Sequence, residues 1–230
     1  MKIRTLIAGG SALLVAATLA RQAAAQNVVY VPDRTGSNKV WIEGTANLIH
    51  TTWWVGGEYI LGMLVVGPGF PTEPGQAVTP GPLPAQATNV FIQARSLKSR
   101  EKDGRLYSDS MDDVMYEHLK VEKFAAIRFH LDELTLKEAP KSKDAPYLCQ
   151  AKGRLAVGGI TNTITMPVSI LPLGGGKLKI TCTPVVKMSD YQVGPVDKNI
   201  VVTHIRTGDE VKLTLDWALK KMVPRVAASK

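Results

Sequence analysis

The chain has 230 residues, 45% of them hydrophobic and 21% charged, with two cysteines and a formal net charge of +8. That balance excludes disordered and fibrous classes and allows a core built without staples, in one large all-β domain or two small ones. A basic surplus suits nucleic acid or an anionic membrane, yet the cations are interleaved with acids: Lys98, Arg100, Lys102 and Arg105 with Glu101 and Asp103, and Lys137, Lys141 and Lys143 with Glu138 and Asp144. Mixed clusters describe a solvated surface, so no nucleic-acid partner is expected.

Lys2 and Arg4 precede an apolar run over 6–20, and Ala23, Ala24 and Ala25 offer a small-residue cleavage site. The run is short and broken by Gly9, Gly10, Ser11 and Thr18, so residues 1–25 read as a secretory signal peptide rather than a membrane helix. No cysteine follows the site to carry a lipid. The mature chain is therefore expected to be periplasmic or secreted, with no stable membrane anchor. Cleavage removes Lys2, Arg4 and Arg21 and no acid, which takes three cations off the +8 and leaves +5.

Residues 26–38 read as a lead-in ending in the turn residues Gly36, Ser37 and Asn38. A strand follows over 39–43, with Val40 and Ile42 on one face, then a short piece over 47–50 and more strand material from Trp53 to Val66. The pair Trp53 and Trp54 suggests a stacking platform for sugars. Strand neighbours face opposite ways, however, so one is expected in the core and one at the surface. Residues 67–88 hold a Pro/Gly-rich insertion, read as an exposed loop within a single domain. The span 89–97 reads as a strand. Ser110 then caps a short helix with Met111, Val114, Met115, His118 and Leu119 on one face, and Asp112 and Asp113 in its first turn. Ile127, Phe129 and Leu131 open the next strand, which runs toward Leu136.

The stretch 149–195 states three strands and both turns between them. Cys149, Ala151, Gly153, Leu155 and Val157 alternate with polar residues, Gly158-Gly159 turns the chain, and Ile164, Met166, Val168 and Ile170 alternate on the return. A second turn at Gly174-Gly175-Gly176 leads to Leu178, Ile180 and Cys182. Centring the turns on these glycines pairs Val168 with Cys149 on one side and Cys182 on the other. The two cysteines are then two strands, roughly 9–10 Å, apart, beyond the reach of a disulfide. Further strands are read over 185–193, 200–205 and 210–219, the last with Val211, Leu213, Leu215, Trp217 and Leu219 inward; the tail 220–230 reads as frayed. Nine or ten short strands and one helix argue for an all-β antiparallel barrel or sandwich, with the helix capping or flanking an open end.

Catalytic motifs are not visible. His50, His118, His130 and His204 are scattered, with no HExxH or His-x-His pair to hold a metal. No G-x-S-x-G elbow occurs, and the triple glycine lacks the spacing and the Ser or Thr of a phosphate loop. Asp132 and Glu133 are neighbours on a strand and so are expected on opposite faces, which spoils them as an acid and base pair. Asp190 and Asp209 read as turn and strand-end residues. The chain is not expected to be an enzyme or to need a cofactor.

Ser96-Leu97-Lys98-Ser99, Met111-Asp112 with Met115 and Leu119-Lys120, and Ile127-x-Phe129-x-Leu131 resemble, in that order, the YceI-like family of secreted bacterial proteins. Gly153-x-Leu155 with Gly158-Gly159-Ile160-Thr161, then Lys187-Met188-Ser189-Asp190-Tyr191, then Gly208-Asp209-Glu210-Val211, continue the resemblance across 39–219. The insertion, and Val196 where a second proline is expected after Pro195, depart from the pattern. The resemblance implies a lipocalin-like antiparallel barrel of about eight strands that binds an isoprenoid lipid, a quinone or polyprenyl chain. The residues expected to hold it are Ile127, Phe129, Leu155, Ile164, Met166, Val168, Ile180, Leu213, Leu215 and Trp217. The alternatives are a barrel whose inward residues fill the core and which serves as a protein-interaction or carbohydrate-binding module, and a secreted hydrolase with a dispersed site. A homodimer is compatible with all of these.

Overall fold

The structure, a computed structural model, describes residues 27–47, 51–200 and 203–223. Residues 1–25, read as a signal peptide, lie outside them, as do His50 and the end of the tail. In chain order the strands are β1 (Val28–Pro32), β2 (Asn38–Ala46), β3 (Thr52–Gly57), β4 (Ile60–Val66), β5 (Gly81–Pro82), β6 (Ala85–Gln93) and β7 (Lys98–Arg100). The helix α1 (Asp109–Leu119) comes next. β8 (Ala126–Glu138), β9 (Tyr147–Val157), β10 (Ile160–Gly174), β11 (Lys177–Cys182), β12 (Val185–Lys187), β13 (Asp197–Ile200) and β14 (Thr203–Lys221) complete the chain.

Eight of these, β1, β4, β6, β8, β9, β10, β11 and β14, pair antiparallel in that order, and β1 pairs back onto β14 to close the barrel. The remaining pieces extend it upward. β2 continues β1 along β14, with the Asp33–Ser37 turn bulging between them; β3 continues β4, β7 continues β6, and β12 continues β11 along β14. The result is eight long strands, four of them interrupted, running up and down around one core. Closure removes the free edges that an open sheet would expose, save where the first half of β10 and β12 stay unpaired with each other.

Residues 26–38, read as a lead-in, contain the closing strand β1, whose Tyr30 is fully buried. Its short run gave too little alternation to identify it. The tail is also ordered further than expected: Lys220 and Lys221 still pair with β1 and β11. The strand read over 89–97 ends at Gln93 and continues as a 3-10 turn, Ala94–Ser96; likewise β12 gives way at Ser189–Tyr191 to a second 3-10 turn. The hairpins obey the glycines. Gly158 and Gly159 both have positive φ, as a two-residue hairpin requires, and Val168 faces Cys149 and Cys182 as the turn positions predict. Both thiols are buried and free.

The Pro/Gly-rich insertion is not simply exposed. It leaves β4 and returns to β6 at the lower end of the barrel, with Phe70, Pro71 and Leu83 buried in the core. Gln76 ties it together: its Oε1 accepts the Thr72 N–H, and its carbonyl accepts the Tyr147 hydroxyl at 2.5 Å. Gly75 packs against Lys143 in the β8–β9 turn, and Pro74 reaches Gly174 in the β10–β11 turn. The loop thus crosses the barrel end and plugs it.

Candidate binding site in the barrel bore

The inward side chains enclose two adjoining cavities. The lower, of about 110 Å³, is walled entirely by apolar residues plus Cys182, and all ten residues expected to line the interior surround it: Ile127, Phe129, Leu155, Ile164, Met166, Val168, Ile180, Leu213, Leu215 and Trp217. Sequence reasoning missed Val40, Leu64, Val90, Ile92, Leu131, Leu134 and Ala151 on the same wall, although the alternation of their strands places them there. The upper cavity, of about 220 Å³, lies under α1 and shares Ile127, Leu155 and Leu213 with the lower one. Those three side chains mark the junction. Several bore residues, Phe129, Ile164, Leu213 and Leu215 among them, face inward yet are only partly buried, because one side of each borders the cavity.

The upper wall comes from α1 and the loops. The helix starts at Asp109 behind Ser108, two residues earlier than the cap expected at Ser110, and Ser108 makes no side-chain capping bond. Asp112 is not a solvated first-turn acid. It is buried, accepts the Ser99 backbone N–H at 2.5 Å and meets Lys98 Nζ at 2.9 Å; that carboxylate raises the lysine's pKa. One turn on, the Tyr116 hydroxyl donates to the Leu97 carbonyl at 2.8 Å. Asp112 and Tyr116 therefore moor one side of α1 to the wall. The face bearing Met111, Val114, Met115, His118 and Leu119 is left to roof the upper cavity.

Across the mouth, Asp209 accepts both the Ser189 N–H at 2.7 Å and its hydroxyl at 2.6 Å, which lowers the Asp209 pKa. These bonds pin the 3-10 turn whose neighbours Met188 and Val193 line the cavity. Gly208 is needed beside it, since a Cβ there would lie 2.2 Å from Thr45 Oγ1. The dispersed sequence pieces Ser99, Asp112, Ser189 and Asp209 are thus the moorings of the roof.

Trp53 and Trp54 divide as strand geometry requires. The Trp53 ring lies over Gly44 and packs on the core, with Nε1 donating to the Thr45 carbonyl at 2.9 Å, whereas Trp54 Nε1 donates to Glu43 Oε2 at 3.1 Å. Both nevertheless border the upper cavity. Asp132 and Glu133, expected on opposite faces, are both exposed, because a bulge between Leu131 and Glu133 resets the alternation and turns both outward. Asp132 there accepts from Arg154 Nε at 3.1 Å, and Thr135 donates to Glu133. His130 contacts Asn89 Oδ1 at 3.0 Å and His204 contacts Asp197 at 2.8 Å, while His118 sits at the mouth. Among the described residues no group of His, Cys, Asp and Glu is gathered as a metal would require. At the floor, Trp217 Nε1 is buried without a hydrogen-bond partner.

The YceI-like domain profile matches residues 69–219. No curated protein matches the chain. Among solved structures, BcnA of Burkholderia cenocepacia is similar at 13% identity and TM-score 0.53, over 78% of this chain and 95% of that one. A polyisoprenoid binding domain from Saccharophagus degradans, implicated in plant cell wall breakdown, is similar at 12% identity and TM-score 0.53, over 84% of this chain and 98% of that one. At these identities the likeness is one of fold.

Proposed function

The chain belongs to the YceI-like domain family, and from that premise we propose that it is a periplasmic or secreted carrier that holds the isoprenoid chain of a quinone or polyprenyl lipid in its bore. One observation carries the reading: side chains that face the inside of a barrel plugged at its lower end, such as Phe129, Ile164, Leu213 and Leu215, still border open apolar space. Barrels of about eight strands suit one small ligand. At ~0.8 kcal/mol per buried CH₂, each isoprene unit would contribute about 3–4 kcal/mol before the costs of ordering. Water gains little from such a wall, because a buried water needs two to four polar partners.

The reading is one of binding, since the lower cavity offers hydrocarbon contact, and burial holds the one thiol on its wall, Cys182, up at about 12. The relative from Saccharophagus degradans is named for polyisoprenoid binding, which supports the same ligand class here. Protein purified without detergent, then extracted into organic solvent, should release a prenyl lipid. Repeated extracts empty of lipid, with no uptake of added quinone or polyprenol, would remove the proposal.

A further inference from the structure

Between β10 and β12 the barrel wall is open. β10 pairs with β11 from Val168 onward, but residues 160–167 pair with β9 alone, and β12 pairs with β14 alone. Pro167 and Pro184 flank the place where the strands part, and proline has no N–H to carry a ladder further. A space of about 370 Å³ fills the gap. Thr163 and Ile164 both border it, as do Val185 and Val186. Strand neighbours face opposite sides of a wall, so residues of both faces border the gap where the strands part. The gap adjoins the bore: Ile164 also lines the lower cavity, and Val186 and Tyr191 the upper one. Asn162 Nδ2 donates to the Asp190 carbonyl at 2.7 Å and closes the gap above, which makes it a window rather than a notch in the rim.

Its border differs from the mouth. The mouth is walled mostly by Met, Val, Leu and Trp, with Arg100, Glu101 and His118 among its polar residues; Lys187 borders both openings, whereas Asn162, Thr163, Asp190 and Glu210 border the window alone. The unpaired edge of β10 adds backbone donors and acceptors. Lys187 faces Glu210 across the strand pair, so the border holds one cation against two carboxylates. An anion gains nothing there. Resting on the lipid-carrier reading above, we propose that the window takes the polar end of the bound lipid while its tail lies in the bore, and that this end is an uncharged hydrogen-bonding group, a hydroxyl, carbonyl or amide, rather than a phosphate.

The test uses geranylgeraniol, geranylgeranyl phosphate, the headless hydrocarbon squalene, and a geranylgeranyl amide carrying a diazirine at its polar end. With the purified protein the alcohol should bind at least about tenfold more tightly than the phosphate, as repulsion by one excess carboxylate at close range implies. After irradiation the diazirine should be attached within 160–164 or 185–191. Phosphate binding as tight as the alcohol's, or adducts confined to Trp53 and α1, would overturn the window proposal while leaving the bore reading standing. Failure of all four probes to bind, squalene included, would overturn both.

Discussion

The buried carboxylate of Asp112 accepts the backbone N–H of Ser99 at 2.5 Å, and this bond fixes the helix that roofs the bore to the strand beneath it. Asp112→Ala orphans that N–H and leaves Lys98 without its partner. The substitution should cost about 2–3 kcal/mol, and Asp112→Asn, which keeps an acceptor, about half as much. Urea denaturation midpoints of the two variants check this; equal losses would mean that the charge rather than the acceptor holds the helix.

Gly153 sits beneath the ring of Phe129, where a Cβ would lie 2.6 Å from Phe129 Cζ and 2.3 Å from the His130 carbonyl oxygen. Gly153→Ala therefore pushes on both ring and backbone. An overpacking cost of about 1–3 kcal/mol is expected, and the displaced ring should narrow the bore. Calorimetry against wild type, with prenol uptake measured on the same samples, reads both effects.

Phe70 anchors the floor, buried among side chains of the strand ends. Phe70→Ala should destabilise by about 3 kcal/mol or more through the cavity left behind. Trp217→Phe should be far milder. Trp217 Nε1 is a buried donor with no partner, so its removal relieves an unpaid desolvation cost that offsets part of the lost packing. Guanidinium midpoints should rank Phe70→Ala well below Trp217→Phe.

Burial pushes the Cys149 thiol up to about 12, and burial with the nearby Asp216 does the same for Cys182. An unfolded thiol ionises near 9.0, so between these values the folded chain holds protons that the unfolded chain releases. Stability is then full below pH 9 and falls as pH rises above it, by up to about 1.4 kcal/mol per pH unit for each thiol. Tyr30, Tyr147 and Tyr191, raised mainly by burial, steepen the fall. Denaturation at pH 7 and pH 10.5 measures the slope. Thiol titration of unfolded, unreduced protein should find two free groups.

The parts of the fold that could be read from sequence are those in which period and turn agree. The register around Val168 followed from Gly158-Gly159 and Gly174-Gly175-Gly176, and the inward set from Ile127 to Trp217 followed from alternation. What escaped was set by tertiary contact. β1 is too short to show a period, yet closure needs it between β4 and β14. Composition marks 67–88 as loop, and only Phe70, Pro71 and Leu83 packing under the strand ends turn it into a floor. The bulge at Asp132 and Glu133 leaves no local signature beyond two adjacent acids where one outward residue is due. The upper cavity was the least legible part, because its walls come from Trp53, Met115, Met188 and Val193 on four separate segments. The apolar face of α1 reads as core from its spacing alone; its role as a roof depends on Asp112 and Tyr116 fastening the opposite side.

Leu213 stands where the two cavities meet, and it is only partly buried, so a larger side chain has room to lie across the passage. Native mass spectrometry of wild type and Leu213→Trp, each incubated with ubiquinone or a polyprenol, tests the carrier reading most directly. One lipid bound per wild-type barrel, with little or none on Leu213→Trp at unchanged circular dichroism, is the predicted result. Bare wild-type protein, or equal loading of both proteins, would contradict it.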